Sequence, residues 1–186
     1  MEAIKKIELN KIAKIIFVAL LGTLLLTISA KIKIPFYPVP MTMQTFIVLF
    51  LGIALGPKIG LLTVSLYLFE GIFGLPVFAG TPEKGIGLVY FTGPTMGYLI
   101  GFLVAVYFAG SFKYDKGPIN TFLKLIFSVS FIYILGMVWL GNLIGWEKPI
   151  FKLGAQPFLL AELFNILLLL FLTPTLLKAK KLIKIT

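Results

Sequence analysis

The chain has 186 residues and a formal net charge of +10; 59% of the residues are hydrophobic and 13% are charged. Soluble domains contain about 45–50% apolar and about 25% charged residues, so the composition excludes an ordinary soluble domain and predicts an integral membrane protein. The sequence has no cysteine and no histidine, which excludes disulfides, thiolate nucleophiles and imidazole bases and removes the commonest transition-metal ligands.

The first half of the chain holds three apolar segments. Residues from about 12 to 30 predict a first membrane span, retained because no small-residue cleavage site follows the basic N-terminus. Residues 41–55 and 59–73 are each about 15 residues long, or roughly 22 Å as helix, which is too short to cross a hydrocarbon core of about 30 Å upright. The letters "GPK" separate them, so they predict two short or tilted helices joined by a tight turn.

The second half of the chain predicts three more helices. A loop rich in glycine and proline, residues 74–92, precedes a fourth helix at 93–111, and a polar turn leads to a fifth at 119–145. Pro157 opens the sixth helix, because its missing N–H costs nothing in a first helical turn. Residues 1–186 are therefore predicted to form a single all-α membrane domain of six transmembrane helices.

The placement of the lysines, which are the only basic residues, predicts the orientation. With six spans and a cytoplasmic N-terminus, the inner segments hold twelve lysines, namely Lys5, Lys6, Lys11, Lys14, Lys58, Lys113, Lys116, Lys124, Lys178, Lys180, Lys181 and Lys184. The outer loops hold five, namely Lys31, Lys33, Lys84, Lys148 and Lys152. The positive-inside rule therefore favours N-in and C-in in a prokaryotic-type cell membrane. Lysines that flank apolar segments are topology signals, so we expect no nucleic-acid partner.

The three outer loops, residues 31–41, 71–92 and 143–156, predict an outward-facing pocket. Irregular backbone near membrane depth is tolerated where protein buries it or where it lines a cavity. The sequence holds no phosphate-binding G-x-x-x-x-G-K-[ST] loop and no set of nucleophile, base and orienting residue. We therefore expect a binding subunit with no catalytic residues, no metal and no cofactor of its own, and any use of ATP must come from another chain.

An acid and an amide, Glu162 and Asn165, lie in the first turns of the sixth helix. An acid at helix depth costs about 2.5–3.5 kcal/mol on insertion scales unless it is paired or near water. Pro157 places Glu162 roughly 7.5 Å into the helix, and Asn165 lies at i+3 on the same face. Two interpretations remain open: a ligand-binding pair that faces the outer pocket, or an interfacial glutamate beside the helix N-terminus with an asparagine that bonds a neighbouring helix.

Two further pairs of small or polar residues are candidates for contacts. Gln44 follows Thr42 by two residues at the outer end of the short second helix, where its amide binds either a polar ligand or neighbouring backbone. Ala19 and Thr23 flank Gly22 at a small-xxx-small spacing, which lets another helix approach closely. The spacing alone does not decide whether that helix belongs to this chain or to a partner.

Four motifs resemble the BioY family in order and spacing: "PVPMTMQT" at 38–45, "GLPVFAG" at 74–80, "GPTMGYLIGF" at 93–102 and "PFLLAELFN" at 157–165. The BioY proteins are the biotin-specific substrate-capture (S) components of energy-coupling factor (ECF) transporters. The resemblance implies the S-component fold, an outward-facing biotin pocket, and assembly with a transmembrane coupling protein and two cytoplasmic ATPases. It also implies that the first-helix surface around Ala19 and Thr23 meets the coupling protein.

The resemblance also assigns ligand-binding residues. Glu162 aligns with an acid of the family and would accept the N–H donors of the ureido ring with charge assistance, while Asn165 stands where the family usually has lysine. Thr42 and Gln44 join the polar set, and Val39, Phe78 and Tyr90 would form the apolar wall. A cation for the ligand's carboxylate could come from Lys84 or from Lys152.

Two alternatives follow from the substitution at Asn165 and from the buried acid. One is an S-component for another small carboxylate such as lipoate, and the other is a small membrane enzyme that uses Glu162 as an acid.

Overall fold

The computed structural model describes residues 2–34 and 41–183. The described chain is helical apart from loops and one pair of two-residue strands. Its elements are α1 (Glu2–Lys31), β1 (Lys33–Ile34), β2 (Met41–Thr42), α2 (Gln44–Ile72), α3 (Leu88–Phe91), α4 (Met96–Ser111), α5 (Gly117–Ile144), α6 (Ile150–Gly154), a 3₁₀ turn (Gln156–Phe158) and α7 (Leu159–Ile183).

Four stretches are long and apolar enough to cross a membrane, judged by length and composition: Leu9–Lys31, Gln44–Ile72, Gly117–Ile144 and Ile150–Lys178. The 16 residues of α4 form a shorter apolar helix. These stretches confirm the predicted all-helical class. The strands β1 and β2 are a small correction, because they pair antiparallel, with Lys33 opposite Thr42 and Ile34 opposite Met41, where a loop was expected at 33–34 and the start of the second helix at 41–42.

The helix α2 is a hairpin and does not run straight. Gly56 has φ 80° and ψ 174°, a conformation that glycine adopts without steric cost, and Pro57 follows it. The Gln44 Nε2 atom donates a hydrogen bond of 2.9 Å to the hydroxyl of Tyr67, whereas 23 residues of straight helix would separate their backbones by about 34 Å. The halves 44–55 and 57–72 therefore fold back on each other, which confirms the two short helices and tight turn predicted around "GPK".

The helices pack closely where glycines replace side chains. A Cβ built on Gly101 of α4 would lie 2.5 Å from the Cα of Ile132 in α5, so the two backbones are in direct contact. On α1, a Cβ on Gly22 would lie 2.4 Å from Thr63 Cγ2.

The small residues of α1 are used within the chain. Ala19 is 0% exposed and Thr23 is 4% exposed, and Gly22 between them contacts α2. In this chain α2 approaches α1 at Gly22, and the side chains on either side of it are covered; contact of this surface with a partner helix stays a prediction.

The segment before α7 differs from the predicted loop. α6 and the 3₁₀ turn that contains Pro157 occupy it, and α7 begins two residues later, at Leu159. As a result, Glu162 lies in the first turn of α7.

Candidate functional site

A cavity of about 240 Å³ lies among the N-terminal turns of α2, α4 and α7 and the middle of α5. Ligand pockets for drug-sized molecules usually measure roughly 300–1,000 Å³, so this cavity suits a small ligand. The residues that line it are Thr42, Gln44, Thr45, Ala79, Thr95, Tyr98, Phe102, Ile132, Tyr133, Phe158, Ala161 and Glu162.

Glu162 is the one charged residue of this lining and is only 6% exposed. Its Oε2 accepts a hydrogen bond of 3.0 Å from the hydroxyl of Tyr133, and the side chains of Thr45 and Asn165 also face the carboxyl group. Its Oε1 has no hydrogen-bond partner of regular geometry among the described residues. Thr45 and Asn165 supply weaker hydrogen-bonding contacts to the carboxyl group, and since a buried acceptor without a full hydrogen bond costs free energy, this oxygen can take a further donor.

Asn165 lies three residues further along α7 and is 0% exposed. Both its Oδ1 and its Nδ2 are buried without a hydrogen-bond partner of regular geometry in the described part of the chain. The side chain faces the carboxyl group of Glu162 but is not part of the cavity lining. The predicted pair is therefore brought together, with Glu162 at the cavity surface and Asn165 buried beside it.

Gln44 and Thr42, two of the predicted ligand-binding residues, line the cavity, and both also hold the fold. The Thr42 hydroxyl donates to Gln44 Oε1 at 3.3 Å, and Gln44 Nε2 donates to the hydroxyl of Tyr67. Tyr67 in turn donates to the carbonyl of Val77 at 3.0 Å. This chain of hydrogen bonds joins the two halves of α2 to the loop that follows them.

The predicted aromatic wall lies beside the cavity and does not line it. Phe78 is 1% exposed and packs on Tyr90 with ring centroids 4.8 Å apart. The Tyr90 hydroxyl donates to the carbonyl of Ala79 at 2.9 Å, and burial raises the pKa of Tyr90, so this hydroxyl stays a donor at neutral pH. Phe78 and Tyr90 thus support the loop whose residue Ala79 reaches the cavity.

Two other predicted ligand-binding residues, Lys84 and Val39, are not among the described residues that line the cavity. Lys84 is exposed and its side chain runs along Gly80, next to Ala79 but outside the cavity lining. Val39 lies outside the described residues.

Lys31, at the end of α1, holds the same loop. Its Nζ donates to the carbonyl of Phe78 at 3.0 Å, to the carbonyl of Thr81 at 2.7 Å and to the hydroxyl of Thr81 at 2.8 Å. From the sequence Lys31 was only one of the lysines at a span end, and nothing in the sequence around it indicates these acceptors 47 and 50 residues away.

Two tyrosines of the site were missed by the sequence reasoning, although a signal for them exists. Tyr133 donates to Glu162, and Tyr98 donates to the carbonyl of Gly154 at 2.7 Å. Both stand within apolar helices, where a tyrosine hydroxyl needs a hydrogen-bond partner. That requirement could have marked them as candidates to meet a buried acid.

A second cavity, of about 380 Å³, lies between α5 and α7 on the other side of Tyr133 and Glu162, which line both cavities. Its remaining lining is apolar except for Ser130. Ile134 and Leu163 in this lining are exposed, so the second cavity is a groove open to the surroundings of the helices; we name it the α5–α7 groove.

Among the described residues, no group of three His, Cys, Asp or Glu residues that could hold a metal ion is found. What the cavity offers is a buried carboxyl oxygen that lacks a donor, set between apolar side chains. Chemically, it can accept N–H groups of a small, mostly apolar molecule.

The chain is similar in sequence to a known family. A family model described as "BioY family" matches residues 3–182. The "Probable biotin transporter BioY" of Pyrococcus horikoshii is 35% identical over 151 residues, which cover 81% of this chain and 88% of that protein. The "Biotin transporter BioY" of Thermotoga maritima is 34% identical over 145 residues, which cover 77% of this chain and 84% of that protein.

A solved structure supports the fold as well. The crystal structure of the S-component for biotin from an ECF-type ABC transporter superimposes with a TM-score of 0.73. It is 25% identical in sequence, and the match covers 91% of this chain and 93% of that chain.

Proposed function

The chain belongs to the BioY family, and from this membership we infer that it is the substrate-capture (S) component of an ECF transporter and that its ligand is biotin. It is a binding subunit of a transporter and not an enzyme. The named relatives are biotin transporters, so the lipoate and membrane-enzyme alternatives are not favoured.

The unpaired Oε1 of Glu162 is the observation that carries the assignment of the site. The ureido ring of biotin presents two N–H donors and one carbonyl, and hydrogen bonds to a charged acceptor are stronger than neutral ones. Glu162 would accept one or both N–H groups. The apolar side chains of Phe102, Ile132 and Phe158 would surround the sulfur-containing ring and its aliphatic chain.

Asn165 would support this contact from beside the cavity. Its amide carries a donor and an acceptor, both free of regular hydrogen bonds in the described chain, and it faces the carboxyl group of Glu162. It would therefore either orient that carboxyl group or, after a small movement, complete the hydrogen bonds of the ureido group.

Isothermal titration calorimetry of the purified protein with biotin tests the function. We expect binding of one biotin per chain, with lipoate a much weaker competitor. Absence of biotin binding by protein that still shows a cooperative unfolding transition would overturn the assignment of the ligand.

We further propose that the chain crosses the membrane six times, with both termini in the cytoplasm. Support comes from the hairpin at Gly56, which divides α2 into two short helices, and from the lysine distribution. Because the natural sequence has no cysteine, single-cysteine variants can be labelled without background. Lys84→Cys should react with a membrane-impermeant maleimide on intact cells and Lys113→Cys only after permeabilisation; the reverse pattern would contradict the orientation.

The partners are also part of the proposal. A transmembrane coupling protein and two cytoplasmic ATPases would energise transport in the cell membrane, and the ATP would be used by those ATPases, with no cofactor in this chain. Co-purification of the tagged chain with an ATPase pair from its native cells would support this assembly. Accumulation of biotin inside vesicles that contain the purified chain alone would contradict it.

A further inference from the structure

The cavity contains one acidic side chain and no basic one among its lining residues. The six residues outside the description that border it in sequence, 35–40, read "PFYPVP" and include neither lysine nor arginine. Of the nearby lysines, Lys84 is exposed beside Gly80, and Lys31 donates to three oxygens of the loop. The described lining of this cavity therefore offers the ligand no cation.

Several hydrogen-bond donors of the described lining are also engaged with the protein. Tyr98 donates to the carbonyl of Gly154, Tyr133 to Glu162, Thr42 to Gln44 Oε1, and Gln44 Nε2 to Tyr67. Each hydroxyl has a single proton to donate. The arrangement thus leaves few donors for an anion among the described residues, and the acid of the lining, Glu162, carries a buried acceptor, Oε1, without a regular hydrogen bond.

The lack of a cation in the described lining and the shortage of free donors set the orientation of a ligand such as biotin, which has N–H donors at one end and a carboxylate at the other. The N–H end matches the acceptor at Glu162. The carboxylate end would lose its hydration inside a cavity that offers no cation and few donors, and an unpaired buried charge is costly.

Resting on the proposed function, we propose that the cavity takes the ureido end of biotin and leaves the carboxylate in water at its mouth, so that the carboxylate is not recognised. The ligand class of this chain then includes neutral esters and amides of biotin as well as the free acid.

A competition assay with radiolabelled biotin and the purified full-length protein tests this proposal. Unlabelled biotin, biotin methyl ester and a biotin methylated on its ureido nitrogens are compared at equal concentrations. We expect the ester to compete within about threefold of biotin and the ureido-methylated compound to lose at least about tenfold.

The possible outcomes distinguish a failure of this inference from a failure of the proposed function. An ester weaker than biotin by about thirtyfold or more, while biotin binds, would show that the carboxylate is recognised and would overturn this inference alone. A ureido-methylated compound that competes as well as biotin would overturn the orientation. Failure of biotin itself to bind would overturn the proposed function and this inference together.

Discussion

Replacing Glu162 by glutamine tests whether its carboxyl group is the acceptor for the ligand. Glutamine has nearly the same shape, and its amide oxygen can still accept the hydrogen bond that Tyr133 now donates to Oε2 at 3.0 Å. The other position becomes an NH₂ group, which presents donors where the carboxyl group presents the unpaired Oε1. The variant therefore removes the acceptor and keeps the local packing.

The expected loss of biotin affinity follows from the burial of the Glu162 carboxyl group. Glu162 is 6% exposed, so water does not replace the lost contact, and a hydrogen bond to a charged group contributes about 1.5–3 kcal/mol. At 1.4 kcal/mol for each factor of ten, we expect the Kd for biotin to rise by about 10- to 140-fold in Glu162→Gln. The measurement is isothermal titration calorimetry on purified protein.

Two controls make the result interpretable. Glu147→Gln removes the same charge from an exposed loop position outside the cavity and should leave the Kd unchanged. Thermal unfolding without ligand should show that Glu162→Gln is folded. A folded Glu162→Gln protein that binds biotin within about threefold of the natural chain would refute the reasoning.

Three further substitutions probe the surroundings of the site. Tyr133→Phe leaves both carboxyl oxygens without a regular donor, so we expect biotin affinity to fall by roughly tenfold in the same calorimetric assay; an unchanged Kd would contradict this. Lys31→Met removes the ammonium that holds the loop carbonyls, and stopped-flow measurement should show faster biotin dissociation, whereas Lys33→Met should not. Gly101→Leu forces a side chain against the α5 backbone and should destabilise the fold by about 1–3 kcal/mol or more, seen as a lower Tm; a Tm equal to that of the natural protein would argue against close α4–α5 contact.

Local signals in the sequence were sufficient for several features. The helix pair within α2 was predictable because each half is too short to span alone and a Gly-Pro step separates them. The position of Glu162 was predictable because Pro157 marks where the last long helix can begin. Both predictions depend on residues close together in sequence.

The features that could not be predicted depend on distant contacts. Phe78 and Tyr90 are aromatic, as the wall of an apolar pocket would be, yet they stack on each other beside the cavity. Ala79, next to Phe78 in the sequence, lines the cavity instead. Ala19 and Thr23 have a spacing that suits either an internal or a partner helix, and only the folded chain shows α2 covering them. Tyr133 meets Glu162 across 29 residues, a distance in sequence that no local pattern encodes.

Tyr133 and Glu162 line both the proposed biotin cavity and the α5–α7 groove, so the same two side chains face the ligand site and whatever hydrocarbon lies outside the helices. In a membrane, lipid acyl chains would fill this groove, and in a micelle detergent tails would do so, with different length and packing. We therefore expect biotin affinity to depend on the solubilising environment. Measuring the Kd in nanodiscs of two acyl-chain lengths tests this expectation, and identical values in nanodiscs and micelles would show that the wall is rigid enough to isolate the ligand from its lipid solvent.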